Sequence, residues 1–84
     1  MYSNRFKVEV RLTQHARARM IERGVDEELL LDLVETGTAK YKDEHRLWVF
    51  KHYPERDDNL ICAAVVIENA LIVKTVMHYF TPEG

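Results

Sequence analysis

The sequence predicts an α+β fold: a strand, two short N-terminal helices, then a three- to four-stranded antiparallel sheet with the helices on one face. Three observations carry this expectation. Capping residues and glycines bracket two short stretches between Thr13 and Gly37. Beyond Gly37 the chain reads as alternating or short apolar runs, the period of strands. A length of 84 residues leaves room for one domain only, taken as 1–84, with a thin core.

Each element follows from local chemistry. Phe6 to Leu12 alternates apolar and charged side chains, as a strand with one buried face does. Thr13 offers an N-cap oxygen to a first helix over Gln14 to Arg23, and Gly24 supplies the left-handed residue that ends it. Asp26 caps a second helix whose Glu27 and Glu28 suit its positive end and whose Leu29, Leu30, Leu33 and Val34 form a buried stripe. Gly37 stops it. Thr38 to Tyr41 can begin a strand and Glu44 to Tyr53 is a longer one. Pro54 to Asn59 reads as a solvated hairpin tip. Leu60 to Ile67 suits a central strand covered on both faces, one of them by the protein or by a partner. Glu68 to Ala70 turns the chain into a last strand, Leu71 to Phe80, which Pro82 ends.

Composition narrows the function classes. The single cysteine, Cys62, excludes an internal disulfide and sits in an apolar run as a small core residue. Met1 to Lys7 is polar and basic, and the longest apolar run is too short for a bilayer, so a cytoplasmic protein with no membrane role is expected. The net charge of −2 hides a division. Residues 1–24 carry six basic and two acidic side chains, a net +4, and the remainder is correspondingly acidic. Either one end faces an anion, or the two segments pair within the fold.

The residues that point to chemistry lie mainly on the first helix. His15, Arg19 and Arg23 fall at i, i+4 and i+8, a stripe about 80° wide beside the core-facing Ala16 and Met20. Two guanidinium forks near an imidazole suit a phosphodiester: the arginines hold oxygens and the histidine moves a proton. The alternative is a charged face in which glutamates such as Glu22 and Glu28 pair with the arginines. His78 and Tyr79, near the end of the last strand, are candidates for a second proton-transfer group. Arg11, Arg17 and Arg46 are candidate nucleic-acid contacts. Trp48 and Phe50 are expected to pack against the helices, although with Arg46 on their face they also fit a platform for RNA bases. His45 and His52 are seven apart, so one regular strand points them to opposite faces. No metal or other cofactor is expected.

His15-Ala16-Arg17-Ala18-Arg19-Met20-Ile21-Glu22-Arg23-Gly24-Val25 resembles the signature His-Ala-x-x-Arg-Met-x-x-Arg-Gly-Ile/Val of a family of small bacterial domains, domain of unknown function 4258. Asp26 to Gly37 fits the acidic-start helix that follows it there. Val73-Lys74-Thr75-Val76 resembles the family's last strand, which usually reads Thr-Val-Tyr-x-Pro; Met77 stands where tyrosine is usual, leaving His78 or Tyr79 to replace it. The resemblance implies a distant likeness to metal-independent ribonuclease toxins of the RelE/ParE and colicin types. It implies His15, Arg19 and Arg23 in a cleft between helix and sheet.

Three readings follow: a toxin-like endoribonuclease acting on RNA or the ribosome, with an antitoxin-like partner protein; a non-catalytic module binding nucleic acid or protein; and a structural domain. The chain is expected as a monomer or homodimer, an exposed edge strand offering the route to pairing.

Overall fold

The structure, a computed structural model, describes residues 1–81. Its elements are β1 (Tyr2–Ser3), β2 (Val8–Leu12), α1 (Gln14–Arg23), α2 (Glu27–Thr36), β3 (Thr38–Tyr41), β4 (Arg46–His52), β5 (Leu60–Ile67) and β6 (Leu71–Met77). The class is α+β, as expected. Pro82, expected to end the last strand, lies outside the described residues.

Both helices begin and end where local chemistry directs. Thr13 accepts from the Ala16 amide at 3.0 Å, and Gly24 closes α1 at φ 65°. Asp26 accepts from the Leu29 amide at 2.8 Å, with Glu27 and Glu28 in the first turn of α2. α1 buries Ala16 and Met20, and α2 buries Leu30, Leu33 and Val34. The helices lie on one face of the sheet, α1 over β6 and α2 over β4 and β5. Between them and the sheet sit Leu47, Val49, Ile61, Ala63, Val65, Leu71, Val73 and Val76. Fully burying each of these leucine, isoleucine and valine side chains stabilises the fold by about 1.5–3 kcal/mol.

The sheet differs from the expected one in size and direction. It has six strands in the order β1-β2-β6-β5-β4-β3 and is mixed rather than antiparallel. β2 runs parallel to β6, with Val10, Arg11 and Leu12 opposite Leu71, Ile72 and Val73, while the other neighbours are antiparallel. The cause is non-local. Val10 and Leu71 are far apart in sequence, the chain between them crossing both helices and three strands, and no local pattern names that neighbour. β1 is two residues long and is joined to β2 through a turn in which Lys7 adopts φ 60° and donates to the Ser3 carbonyl at 2.7 Å. That turn is why the strand starts at Val8 and not at Phe6.

Among the described residues the other face carries no helix, which corrects the expectation for Trp48 and Phe50. Leu47 and Val49 point to the helices, so the alternating Trp48 and Phe50 point away from them. Their cover comes instead from Phe80, whose ring centroid lies 5.2 Å from that of Trp48 and 5.5 Å from that of Phe50. Phe80 reaches them because Tyr79, at φ 55°, turns the chain after Met77 and ends β6 early. Cys62, opposite Phe50, is fully buried, as expected of a core cysteine.

Candidate functional site

α1 runs along β6 and is tied to it at both ends. The Thr13 hydroxyl donates toward the Val73 and Lys74 carbonyls at 3.3 and 3.2 Å, and Arg23 donates to the carbonyl of Val76. The stripe predicted on α1 is therefore spread along the strand. His15 is exposed near the first tie, with no hydrogen-bond partner among the described residues. Arg23 lies eight residues on, about 12 Å along the helix axis. Arg19, between them, pairs with Glu22 at 2.5 Å on the same helix.

At the Arg23 end the structure brings together residues from three elements. The loop between β4 and β5, expected as a solvated hairpin tip, folds back against the end of α1. Arg56 donates to the Arg23 and Gly24 carbonyls at 2.6 and 2.9 Å, so its positive charge meets the negative end of the helix. The same guanidinium grips Asp58 bidentately, at 3.0 and 2.7 Å. Asp58 is only 6% exposed, and its Oδ2 also lies 3.1 Å from Nδ1 of His78. The Arg56 guanidinium, with a smaller contribution from the His78 contact, outweighs burial and holds the Asp58 carboxyl down at about 2. Asp58 is thus an anion at neutral pH and can only accept, which assigns the His78 Nδ1 hydrogen and leaves Nε2 with its lone pair in the neutral ring. His78 remains about one-third exposed. Tyr79 is exposed, its ring 4.8 Å from the His78 ring between centroids. Its amide donates to the Asp58 carbonyl at 2.9 Å, pinning the end of β6 to the loop.

Arg23, His78 and Tyr79 are therefore neighbours at one end of α1 and β6. His15 is not among them. The other three candidate arginines also separate. Arg17 pairs with Glu27 on the helical side at 3.3 Å. Arg11 and Arg46 lie on the open sheet face, each beside a carboxylate: Glu9 at 2.9 Å and Asp43 at 2.7 Å. Arg56 and Asp58 were not singled out by sequence reasoning. The one available signal was an arginine embedded among acids in a loop joining two strands, which reads as solvated surface until the fold sets it against a helix end.

Among the described residues, no group of three or more His, Cys, Asp or Glu side chains is disposed to hold a metal ion. A shallow cavity next to Arg56 is lined by Asp26, Glu28, Asp32 and Glu55 and so repels anions. No helix among the described residues is long and apolar enough to cross a membrane.

Fold and site together define a small α+β domain whose first helix, last strand and β4–β5 loop meet at a histidine–carboxylate pair. The family described as Domain of unknown function (DUF4258) matches residues 12–78, and the chain belongs to that family. The matched span includes both helices, the Arg56–Asp58 loop and His78. No curated protein and no solved structure matches the chain.

Proposed function

We propose that this domain is a toxin-like endoribonuclease whose proton-transfer group is His78, oriented by Asp58. The observation that supports it is the 3.1 Å contact between a buried carboxylate and an imidazole Nδ1, which leaves Nε2 at a partly exposed surface. Orientation by a carboxylate behind the ring is how imidazole bases are commonly prepared for proton transfer. We assign this role to His78 rather than to His15, which has no such partner.

In this reading His78 Nε2 takes the proton from an RNA 2′-hydroxyl as that oxygen bonds to the adjacent phosphorus. The bond from phosphorus to the 5′-oxygen breaks, and the departing oxygen takes a proton from the Tyr79 hydroxyl. The products are a 2′,3′-cyclic phosphate and a 5′-hydroxyl. Charge gathering on the phosphoryl oxygens is met by Arg23, which has guanidinium donors beyond the one given to Val76, and by Arg19 once it leaves Glu22.

The test is RNA integrity in cells after induced expression, with fragment ends mapped. Wild type and His15→Ala are expected to yield the same fragments bearing 5′-hydroxyl ends, and His78→Ala none at equal expression. Intact RNA with wild type, or fragments that persist in His78→Ala, would overturn the proposal.

A further inference from the structure

The sheet face opposite the helices has a chemistry of its own. The register lays out two rows across it: Lys40, Trp48, Ala64 and Thr75 in one, Arg46, Val66, Ile72 and Arg11 in the next. A register shift at Ala64/Val65 leaves Lys74 without a partner on β5, and its side chain joins Trp48, Ala64, Val66, Lys42 and Arg46 around a small apolar depression. The Lys42 ammonium stands 5.0 Å and that of Lys40 6.0 Å from the centre of the Trp48 ring. Glu9 and Asp43, carboxylates on this face, are each taken up by an arginine, Arg11 and Arg46, while Glu44 and Glu68 line a neighbouring depression beside Arg46 and Val66. Lys42 and Lys74 have no carboxylate partner among the described residues. A chain of net charge −2 thus gathers cations around Trp48, with acids grouped around α2 and the adjoining loop and, beside Arg46 and Val66, at Asp43, Glu44 and Glu68.

We infer that this open face binds single-stranded RNA, one base stacking on Trp48 over the floor of Ala64 and Val66 and the flanking phosphates resting on Lys42, Lys74 and Arg46. This deepens the ribonuclease reading, on which it rests for the choice of RNA. Phe80, three residues from Met77 at the end of β6, joins the two places: it packs on Trp48 and lies two residues beyond His78. A strand held on the open face would have to round the end of β6 to reach the histidine, which lies toward the end of α1. An aromatic platform among cations is what non-helical nucleic acid needs, because every base has a π-face and every linkage a charge. An acidic peptide would use the cations but not the flat ring and its shallow floor. Lys42 lies over the ring in the free protein, and its flexible stem lets the ammonium swing to a phosphate as a base takes its place.

Trp48 is the only tryptophan, so its fluorescence reports directly on the platform. The experiment titrates a short single-stranded RNA into His78→Ala protein, with and without Lys42→Glu and Lys74→Glu, beside duplex RNA and polyglutamate. It also follows cleavage by otherwise wild-type protein carrying the two lysine substitutions. Expected are quenching by the single strand, affinity that falls with salt, and at least tenfold weaker binding when both exposed lysines are reversed. If binding behaves this way but wild type cleaves nothing, the platform stands and the ribonuclease reading falls. Cleavage and binding both unaffected by the lysine reversals would leave the ribonuclease reading and overturn the platform. Polyglutamate binding as tightly as RNA, with the same lysine dependence, would overturn it in favour of an acidic protein.

Discussion

Asp58 Oδ2 lies 3.1 Å from Nδ1 of His78 and 2.7 Å from Nη2 of Arg56, so one buried oxygen joins the end of β6 to the loop that closes α1. The contact has a pH signature. Asp58 titrates at about 2 in the fold, held down first by Arg56, against about 3.9 for an unperturbed aspartate. A depressed carboxylate contributes stability that is fully present above the unfolded value and is lost as pH falls through the folded one. The window therefore runs from about pH 4–5 down to about pH 2, and the contribution is on the order of 2 kcal/mol. Urea unfolding across this range is expected to show a steep acid limb for wild type and a flatter one for Asp58→Asn, which is less stable at pH 7. Equal slopes would mean that the pair carries no linkage. Asp43 is also held at about 2, by backbone and Arg46 hydrogen bonds, but at an exposed pair that moves the limb little.

Two glycines end the two helices for different reasons, and substitution separates them. Gly24 needs its left-handed backbone at φ 65°, and an added Cβ would meet nothing closer than Arg56 Nη1 at 3.9 Å. Gly37 has ordinary extended backbone, but a Cβ there would lie 2.6 Å from the Leu33 carbonyl, 2.8 Å from Val49 Cγ1 and 2.9 Å from the Phe50 carbonyl. Two of those three neighbours are backbone and cannot step aside alone. Gly24→Ala is expected to cost about 1 kcal/mol and Gly37→Ala about 2–3 kcal/mol, read as shifts in the urea midpoint. Equal losses would show that the edge strand β3 yields more readily than its packing indicates.

That contrast also marks what the sequence makes legible. The bounds of α1 and β5 agree with expectation because Thr13, Gly24 and an eight-residue apolar run state them locally. Gly37 is legible as a stop, but the crowding by Val49 and Phe50 depends on a strand pairing no window contains. The parallel union of β2 with β6 has the same character, as does the turning of Trp48 away from the helices. At the site, Arg23 and His78 are visible as residue types with suitable chemistry. Their meeting depends on α1 lying along β6, and Asp58 is invisible as a partner until its loop folds back. His15 has the same chemistry in sequence and lies about two turns away in space.

Cys62 is expected to be inert in the native state. Burial pushes its thiol up to about 12, only partly countered by a backbone hydrogen bond at Val49. The thiolate that alkylating reagents need is then scarce at pH 8. Iodoacetamide labelling should be slow in buffer and become rapid above the urea midpoint, with a rate that follows the unfolded fraction. Fast labelling without denaturant would show that the open face admits reagent beneath Phe50.

Arg5 does for α2 what Arg56 does for α1. Its Nη1 donates to the carbonyls of Gly37 and Val34, at 2.6 and 3.1 Å, at a helix end with no basic residue of its own in the last turn. Glu35 in return accepts from the Asn4 and Arg5 amides at 2.6 and 2.8 Å, so the β1–β2 turn and the end of α2 hold each other. Arg5→Ala leaves those carbonyls to solvent and removes a cation from the negative helix end, at a cost of about 1 kcal/mol. Because the contacts sit at a helix terminus and a two-residue edge strand, the loss should show first as local opening. Hydrogen exchange is expected to quicken at the Gly37 amide, which bonds Leu33, and to change little at central β5 amides. Arg5→Lys should restore the charge but only part of the protection, since the compact, strongly hydrated ammonium on its flexible stem does not hold the fixed N–H geometry with which the planar Nη1 meets both carbonyls. Full rescue by lysine would assign the effect to charge alone, and uniform quickening across β5 would make the turn part of the global folding unit.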